Sequence, residues 1–536
     1  EVIDEARQGG PESAVETFGS KAGAAPVGPF GSLFHRYGLT GEETGTLGDV
    51  GLDSLRIAEF AHDLKAELEA RGNDDLSGAV DLRLLIKIAV SELFELLDDV
   101  AAAAPRAKLR FKRTVLKLQR EHQEQEARMM RADTRLRFEP SELLASASPQ
   151  EAARGGILLT GGTGFFGPFL LKSLLEQCED ELFVLVRAKD PDAGMQRLRE
   201  ALATVGGPCG GNASGWEQRV RPVCGDLAQA NLGLGKADWR LLSRQTHTIY
   251  HNGALVNYLF DYAAMRDANV GGTHELIRLA LTDRAKVLNH ISTTFVFGWS
   301  VKETLSETDT NPDMDHLDFG YSQSKWVSEQ VVLRAMRHGL QARIFRPALL
   351  SPSIAGEGYN FDISIRLLAF MLKHRIGTTA KNQVSFFPAD LAADNIVAIS
   401  SLPGSLGTTC HVTRDTHATM LDITTILGQL TGQDFENFTL DDFVPEVIER
   451  CGKDDLLFPL LNFLVRSVSN ITAMEFKRYD NSNFQRFRGQ APQGREDPPL
   501  EDVVAGILRF MRGHGIVEGR HRLVSLGSDE RNRSHA

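Results

Sequence analysis

The chain has 536 residues, 42% hydrophobic and 24% charged, a globular balance that excludes a disordered or fibrous chain and leaves room for about three domains. Its formal charge of -12, from 59 basic and 71 acidic residues, excludes the broadly basic surface of a nucleic-acid or anionic-membrane binder. The imbalance is local: Glu1 to Ala104 holds 20 acidic and 8 basic residues, and the rest holds 51 of each.

Five cysteines, Cys178, Cys209, Cys224, Cys410 and Cys451, are widely spaced, odd in number and without a CxxC pair. They indicate neither a disulfide framework nor a zinc site, and a reducing cytoplasm is the expected location. No apolar run reaches the roughly 18 residues of a membrane span. The start, EVIDEARQGG, lacks both Met and the regions of a signal peptide, so the chain reads as a piece excised from a longer protein.

In chain order, residues 1–28 are rich in Gly, Ala, Pro and Ser and read as a linker. Residues 29–100 carry helical apolar spacing in FGSLFHRYG, SLRIAEFAHDLKAELEARG and LRLLIKIAVSELFELLDDV, which predicts a small acidic all-α bundle with Leu55 and Phe60 in its core. Residues 101–150 form a connector, in which 105–137 hold 11 basic and 4 acidic residues and no glycine. That composition predicts a solvated helix docking on the acidic bundle rather than on nucleic acid.

At Gly155 the pattern turns to β-α alternation: GILLTGGTGFFG, PFLLKSLLEQ and LFVLVRA, then VRPVCGD, THTIYHNGA, KVLNHISTTFVFG, ARIFRPALLS and TTCHVTRD. Apolar strands divided by amphipathic helices predict an α/β fold, a Rossmann-type doubly wound parallel sheet over 151–351 with sheet returns near 384–414. Residues 352–520 read as a smaller, mostly helical C-terminal lobe, with RLLAFMLKHR, MLDITTILGQL, EVIERC, LLFPLLNFLVRS and VVAGILRFMRGHG as helices, and 521–536 as a tail.

Gly161, Gly164 and Gly167 stand between the strand ILL and the helix PFLLKSLL. Glycines there permit a tight turn and close approach to a pyrophosphate, whose charge meets the helix N-terminal amides. Thr163 and Phe165 belong to the same turn and are assigned to the cofactor site. The next strand ends in Arg187 where an NAD site carries Asp or Glu, so a 2'-phosphate, and hence NADPH, is favoured. Arg197 is a second candidate, and both cations also read as solvated charge at a helix start. Asp226, in CGDL with Leu227, is placed to meet the adenine or to cap a helix. Asn252 and Gly253 in HNGA let the cofactor lie across the strand ends, while His251 reads as structural.

The catalytic candidates are Thr293 in STTFVFG and Tyr321 and Lys325 in YSQSK, with Arg346-Pro347 following in FRPALLS. Spacing of i,i+4 puts Tyr321 and Lys325 on one helix face. An ammonium beside a phenol is expected to draw its pKa of about 10 toward neutrality and make it a proton donor or acceptor. Lys325 and Arg346 are also assigned to cofactor binding.

With these motifs in hand, residues 155 to about 520 resemble the extended short-chain dehydrogenase/reductases. HNGALVNYLFDYAAMRDANVGGT resembles the thioester reductase domains of nonribosomal peptide synthetases, aminoadipate reductases and carboxylic acid reductases. The resemblance implies a Thr-Tyr-Lys triad at Thr293, Tyr321 and Lys325; FVFG departs from the VYG of many members at Phe297, outside the triad. In the bundle, Ser54 in GLDSLRIAEF reads locally as a helix cap, and the motif resembles the 4'-phosphopantetheine attachment site of acyl or peptidyl carrier proteins. Together these imply NADPH-dependent reductive release of a carrier-bound acyl thioester as aldehyde or alcohol. The implied partners are an upstream adenylation or ligase module and a phosphopantetheinyl transferase, with neither nucleic acid nor membrane among them. An acyl-CoA reductase, a nucleotide-sugar epimerase or dehydrogenase, and a noncatalytic scaffold are the alternative readings.

Overall fold

The computed structural model describes residues 28–517, apart from 53, 78–79, 81–84, 86, 147–154, 209–214, 259, 313, 315, 318, 360 and 475–476. The expected linker up to residue 27 and the C-terminal tail lie outside the described residues. The chain divides into two compact units, ending at Gln125 and beginning at Glu126.

The first unit is helical: α1 (Gly31–Arg36), α2 (Ser54–Ala70), α3 (Asp74–Ser77), α4 (Val90–Ala101) and the start of α5 (Ala107–Asp133). In α2 the helical spacing of Ile57, Phe60, Ala61, Leu64 and Leu68 puts all five in the core. Phe34 meets Phe60 and Phe94 edge-on, at 5.3 and 4.9 Å between ring centres. Lys108 and Lys112 reach Asp75 at 3.1 and 3.0 Å, and Arg110 reaches Asp99 at 2.6 Å, so the basic start of α5 does pair with acidic residues of the bundle. These pairs are exposed, and each contributes at most about 1 kcal/mol.

The second unit is built on seven parallel strands: β1 (Gly156–Thr160), β2 (Leu182–Val186), β3 (Val220–Cys224), β4 (Thr246–His251), β5 (Val287–Ile291), β6 (Ala342–Pro347) and β7 (Thr409–Val412). Their order is β7-β6-β5-β4-β1-β2-β3, and every neighbouring pair is parallel. Strands β1 and β2 are buried at each position, which is why they read as unbroken apolar runs. The order reverses between β1 and β4, the place where open α/β sheets form a ligand crevice.

Helices cover both faces. On one, α6 (Gly167–Gln177) brings Leu170, Leu171 and Leu174 against the sheet. On the other lie α7 (Tyr262–Arg266), α8 (Gly272–Leu281) and α9 (Gly320–Arg337), with Ile277, Val327 and Val331 buried beneath them. A third core joins the C-terminal helices α10 (Ile363–His374), α11 (Met420–Thr431), α12 (Leu440–Arg450), α13 (Leu461–Ala473) and α14 (Leu500–Gly513). No helix among the described residues is long and apolar enough to cross a membrane.

Two expectations change. The segment near Val384 does not rejoin the main sheet: Phe386–Pro388 pairs with Leu349–Ser351 in a separate two-stranded ladder, and only the strand around Cys410 returns, as edge strand β7. Nor is all of α5 solvated. Glu126, Met130 and Asp133 are buried, with 6%, 2% and 5% exposure, because Tyr262, Arg266 and Gln323 satisfy the two carboxylates.

Candidate active site

The glycine turn joins β1 to α6. Gly161 adopts φ +70, and a Cβ on Gly167 would sit 1.9 Å from the Gly161 carbonyl oxygen, so no other residue closes this turn unchanged. A Cβ on Gly164 would find nothing nearer than 3.6 Å, so the turn is open to a close ligand there. Thr163 and Phe165 are half-buried beside it, Phe165 packing edge-on against Phe169. Asn252 donates from its side-chain amide to the Gly161 carbonyl (3.2 Å), and the Gly253 amide donates to Thr160 Oγ1 (2.9 Å), locking β4 to the turn. Leu227 lies against Gly253, where an added Cβ would come within 2.6 Å of its Cδ1.

His251 is structural. Thr273 Oγ1 already donates to the Asn269 carbonyl, so it accepts from His251 Nε2 (2.8 Å), and His251 Nδ1 in turn accepts from Thr160 Oγ1 (3.1 Å). Burial lowers its pKa to about 3.

Arg187 follows β2 and is exposed, and Arg197 donates to the Arg187 backbone carbonyl. The two cations therefore share one end of the sheet. Asp226 follows β3 and accepts from the Ala228 amide two residues on (2.9 Å), a local turn rather than a helix cap, since the helical turn Ala230–Gly233 is preceded by Gln229 without a side-chain cap. These residues, with the open turn and the helix N-terminus behind it, fit a phosphorylated dinucleotide: backbone amides for the pyrophosphate and guanidinium charge near a ribose phosphate.

The catalytic candidates converge at the end of β5. Thr293 caps the turn Thr294–Phe297, accepting from the Phe295 amide at 3.2 Å, and hydrogen bonds to Tyr321. Tyr321 lies in the first turn of α9, and Lys325, one turn on, donates to the Ile291 carbonyl (2.8 Å). The expected acidification of the phenol does not occur. Burial pushes Tyr321 up to about 12, against a smaller lowering by Thr293, and burial lowers Lys325 to about 8, opposed by Glu329. Desolvation dominates because both groups lie largely inside the fold, so Tyr321 is a neutral proton donor near pH 7. Tyr258, Phe295 and Phe319 flank it at 6.4 to 6.5 Å between ring centres, and Phe463 of α13 meets Tyr258 at a tilt and Phe319 edge-on, both at 5.4 Å.

Arg346 is not placed for a cofactor. It is fully buried, donating to Glu329 at 3.0 and 2.6 Å and to the Asp309 carbonyl at 2.8 Å, and it contacts His411 at 3.2 Å. Glu329 also accepts from Ser292 (2.5 Å), the residue before Thr293, so this buried pair fixes the strand end that carries the triad. Sequence reasoning passed over Glu329, whose one signal was its position four residues beyond Lys325. The whole of Asp53 and the side chains of Ser54 and Leu55 lie outside the described residues; the backbone of Ser54 opens α2.

Fold and site together fit a dinucleotide-dependent oxidoreductase. Residues 159–396 match the family model described as male sterility protein. A linear gramicidin synthase component from Brevibacillus parabrevis is 33% identical over 305 residues, 55% of this chain and 6% of the relative. The large subunit of the L-2-aminoadipate reductase of Candida glabrata is 31% identical over 362 residues, 61% of this chain and 25% of the relative. The chain thus spans only a small part of these relatives. The terminal R domain from the myxalamid PKS-NRPS pathway is 29% identical with a TM-score of 0.66, covering 73% of this chain and 98% of that one. A thiolation-reductase di-domain from an archaeal non-ribosomal peptide synthetase, 18% identical, shares the fold with a TM-score of 0.64 over 91% of this chain and 96% of its own. The second unit is thus similar in sequence and fold to a reductase R domain, and the matched dinucleotide-binding model supports a nicotinamide cofactor.

Proposed function

We propose that the chain releases an acyl or peptidyl thioester reductively, as aldehyde and, after a second round, as alcohol. The observation that carries this is the placement of Tyr321, hydrogen-bonded to Thr293, with Lys325 one turn on and held on the Ile291 carbonyl at the carboxyl end of the sheet.

The cofactor favoured by Arg187 and Arg197 is NADPH, which when bound supplies hydride to the thioester carbonyl carbon. Gly161, Thr163, Gly164, Phe165 and Gly167 would hold its pyrophosphate side, with Asp226, Leu227, Asn252 and Gly253 along the strand ends. Thr293 and Tyr321 hydrogen bond the carbonyl oxygen, where negative charge develops. Tyr321 gives its proton to that oxygen, and the Lys325 ammonium stabilises the phenolate left behind. The resulting thiohemiacetal expels the thiol, its hydroxyl proton passing to the sulfur, and leaves the aldehyde.

Ser54, at the head of α2 in an acidic bundle, is the proposed attachment point for 4'-phosphopantetheine, loaded by a phosphopantetheinyl transferase and charged by an upstream adenylation or ligase module. A tethered thioester reaches the site at high effective concentration, so a weak interface suffices. Cytoplasmic residence suits the four described cysteines, all free thiols. The test is product analysis of the acyl-loaded chain with NADPH. Aldehyde or alcohol matching the loaded acid supports the reading; turnover of a nucleotide sugar in its place defeats it.

A further inference from the structure

Ahead of the dinucleotide fold, the last turns of α5 carry two buried carboxylates outside the catalytic set, Glu126 and Asp133. Glu126 accepts from the Tyr262 amide at Oε1 (3.1 Å) and from the Gln323 side-chain amide at Oε2 (3.2 Å). Gln323 sits between Tyr321 and Lys325 in the first turn of α9 and also donates to the Leu317 carbonyl (3.3 Å). Tyr262 opens α7 and closes the segment that carries Tyr258 against Tyr321. Asp133 holds the same helix by accepting from Tyr262 Oη (2.8 Å) and from Arg266 at 2.5 and 2.7 Å.

One carboxylate therefore grips two walls of the site. Tyr321 meets Thr293, and Lys325 meets the Ile291 carbonyl, only if α9 keeps its rotation about its own axis. A side-chain anchor at Gln323, midway between them, fixes that rotation. Burial makes the anchor stringent, because without Glu126 one of the two Gln323 N–H groups is left unpaired there and costs the free energy of a missing hydrogen bond.

We infer that Glu126 is a positioning residue for the Tyr321–Lys325 turn, and that the segment before the dinucleotide fold is part of the catalytic apparatus; this rests on the thioester reductase reading for its kinetic consequence. Misplacement of reacting groups by about 1 Å costs on the order of 100-fold in rate.

The test uses the full chain with a free acyl thioester and NADPH, well below each variant's melting temperature. Glu126→Ala strips the anchor, and Gln323→Glu sets two carboxylates against each other. Both should lower kcat by about 10-fold or more while leaving KM for NADPH unchanged. The exchanged pair E126Q/Q323E restores one amide donor facing one carboxylate and leaves an acceptor for Tyr262, though not the donor to the Leu317 carbonyl, so it should recover part of kcat. Hydrogen exchange at the amides of Ser322 to Lys325 should rise in the single variants and fall back in the exchange. A folded Glu126→Ala with unchanged kcat and exchange overturns the inference, as does an exchanged pair that regains thermal stability with kcat no higher than in the single variants. The hydrogen-exchange readout needs no substrate. A chain that reduces no thioester therefore sinks the proposed function while the anchor is still judged on exchange.

Discussion

Lys325 Nζ lies 2.8 Å from the carbonyl oxygen of Ile291, the last residue of β5 and two before Thr293. Helix α9 and the strand end that carries Thr293 are thus tied by the side chain proposed to stabilise the phenolate. Burial lowers this amine to about 8. Below that pH it is charged and supports the phenolate; above it the charge, and the support, disappear. We expect kcat/KM for a free thioester to fall above about pH 8. Lys325→Arg keeps its charge across this range, so its residual activity should show no such basic limb. A wild-type profile flat to pH 10 contradicts the role.

Tyr321→Phe removes one oxygen and the phenolic proton beside Thr293. The loss of general acid catalysis is about 100- to 10,000-fold. NADPH affinity, measured by its fluorescence, should be unchanged because the glycine turn is untouched. Full activity in this variant removes Tyr321 from the mechanism.

Arg346→Met leaves the Glu329 carboxylate buried without its cation. Removing one member of such a pair costs about 3 to 5 kcal/mol, so chemical denaturation should show a loss of that order. At low temperature NADPH should still bind with unchanged affinity, whereas a guanidinium on the cofactor would weaken it.

Arg187→Ala discharges the exposed end of β2. The expected result is weaker NADPH binding, by about 1 to 3 kcal/mol for a lost charged hydrogen bond, with NADH binding unaffected. Equal losses for both nucleotides would assign Arg187 to something other than the 2'-phosphate.

The parts of the site legible from the sequence are those set by local spacing. Three glycines between a strand and a helix, and Tyr321 four residues before Lys325, carry their geometry in the helical and strand periods themselves. Arg346 carries none: an Arg-Pro at a strand end looks the same whether it faces a cofactor or the interior, and its direction is set by Glu329, 17 residues back in the chain. Glu126 and Asp133 were hidden for the same reason, inside a basic segment whose charge count predicts solvent, while Tyr262 and Arg266 lie 129 and 133 residues away from Asp133. The phenol's pKa was misjudged because proximity to a lysine is visible in a sequence and desolvation is not.

Ser54→Ala separates the carrier from the reductase. The backbone places Ser54 at the head of α2, where a serine serves equally as a helix cap. As a cap alone, its loss costs about 1 kcal/mol and leaves turnover of any substrate intact. As the attachment point, its loss abolishes the mass increase on treatment with a phosphopantetheinyl transferase and coenzyme A, and abolishes reduction of tethered substrate, while a free thioester is reduced at the wild-type rate. Mass spectrometry of the treated variant decides between them: an arm still attached after Ser54→Ala places the carrier function elsewhere.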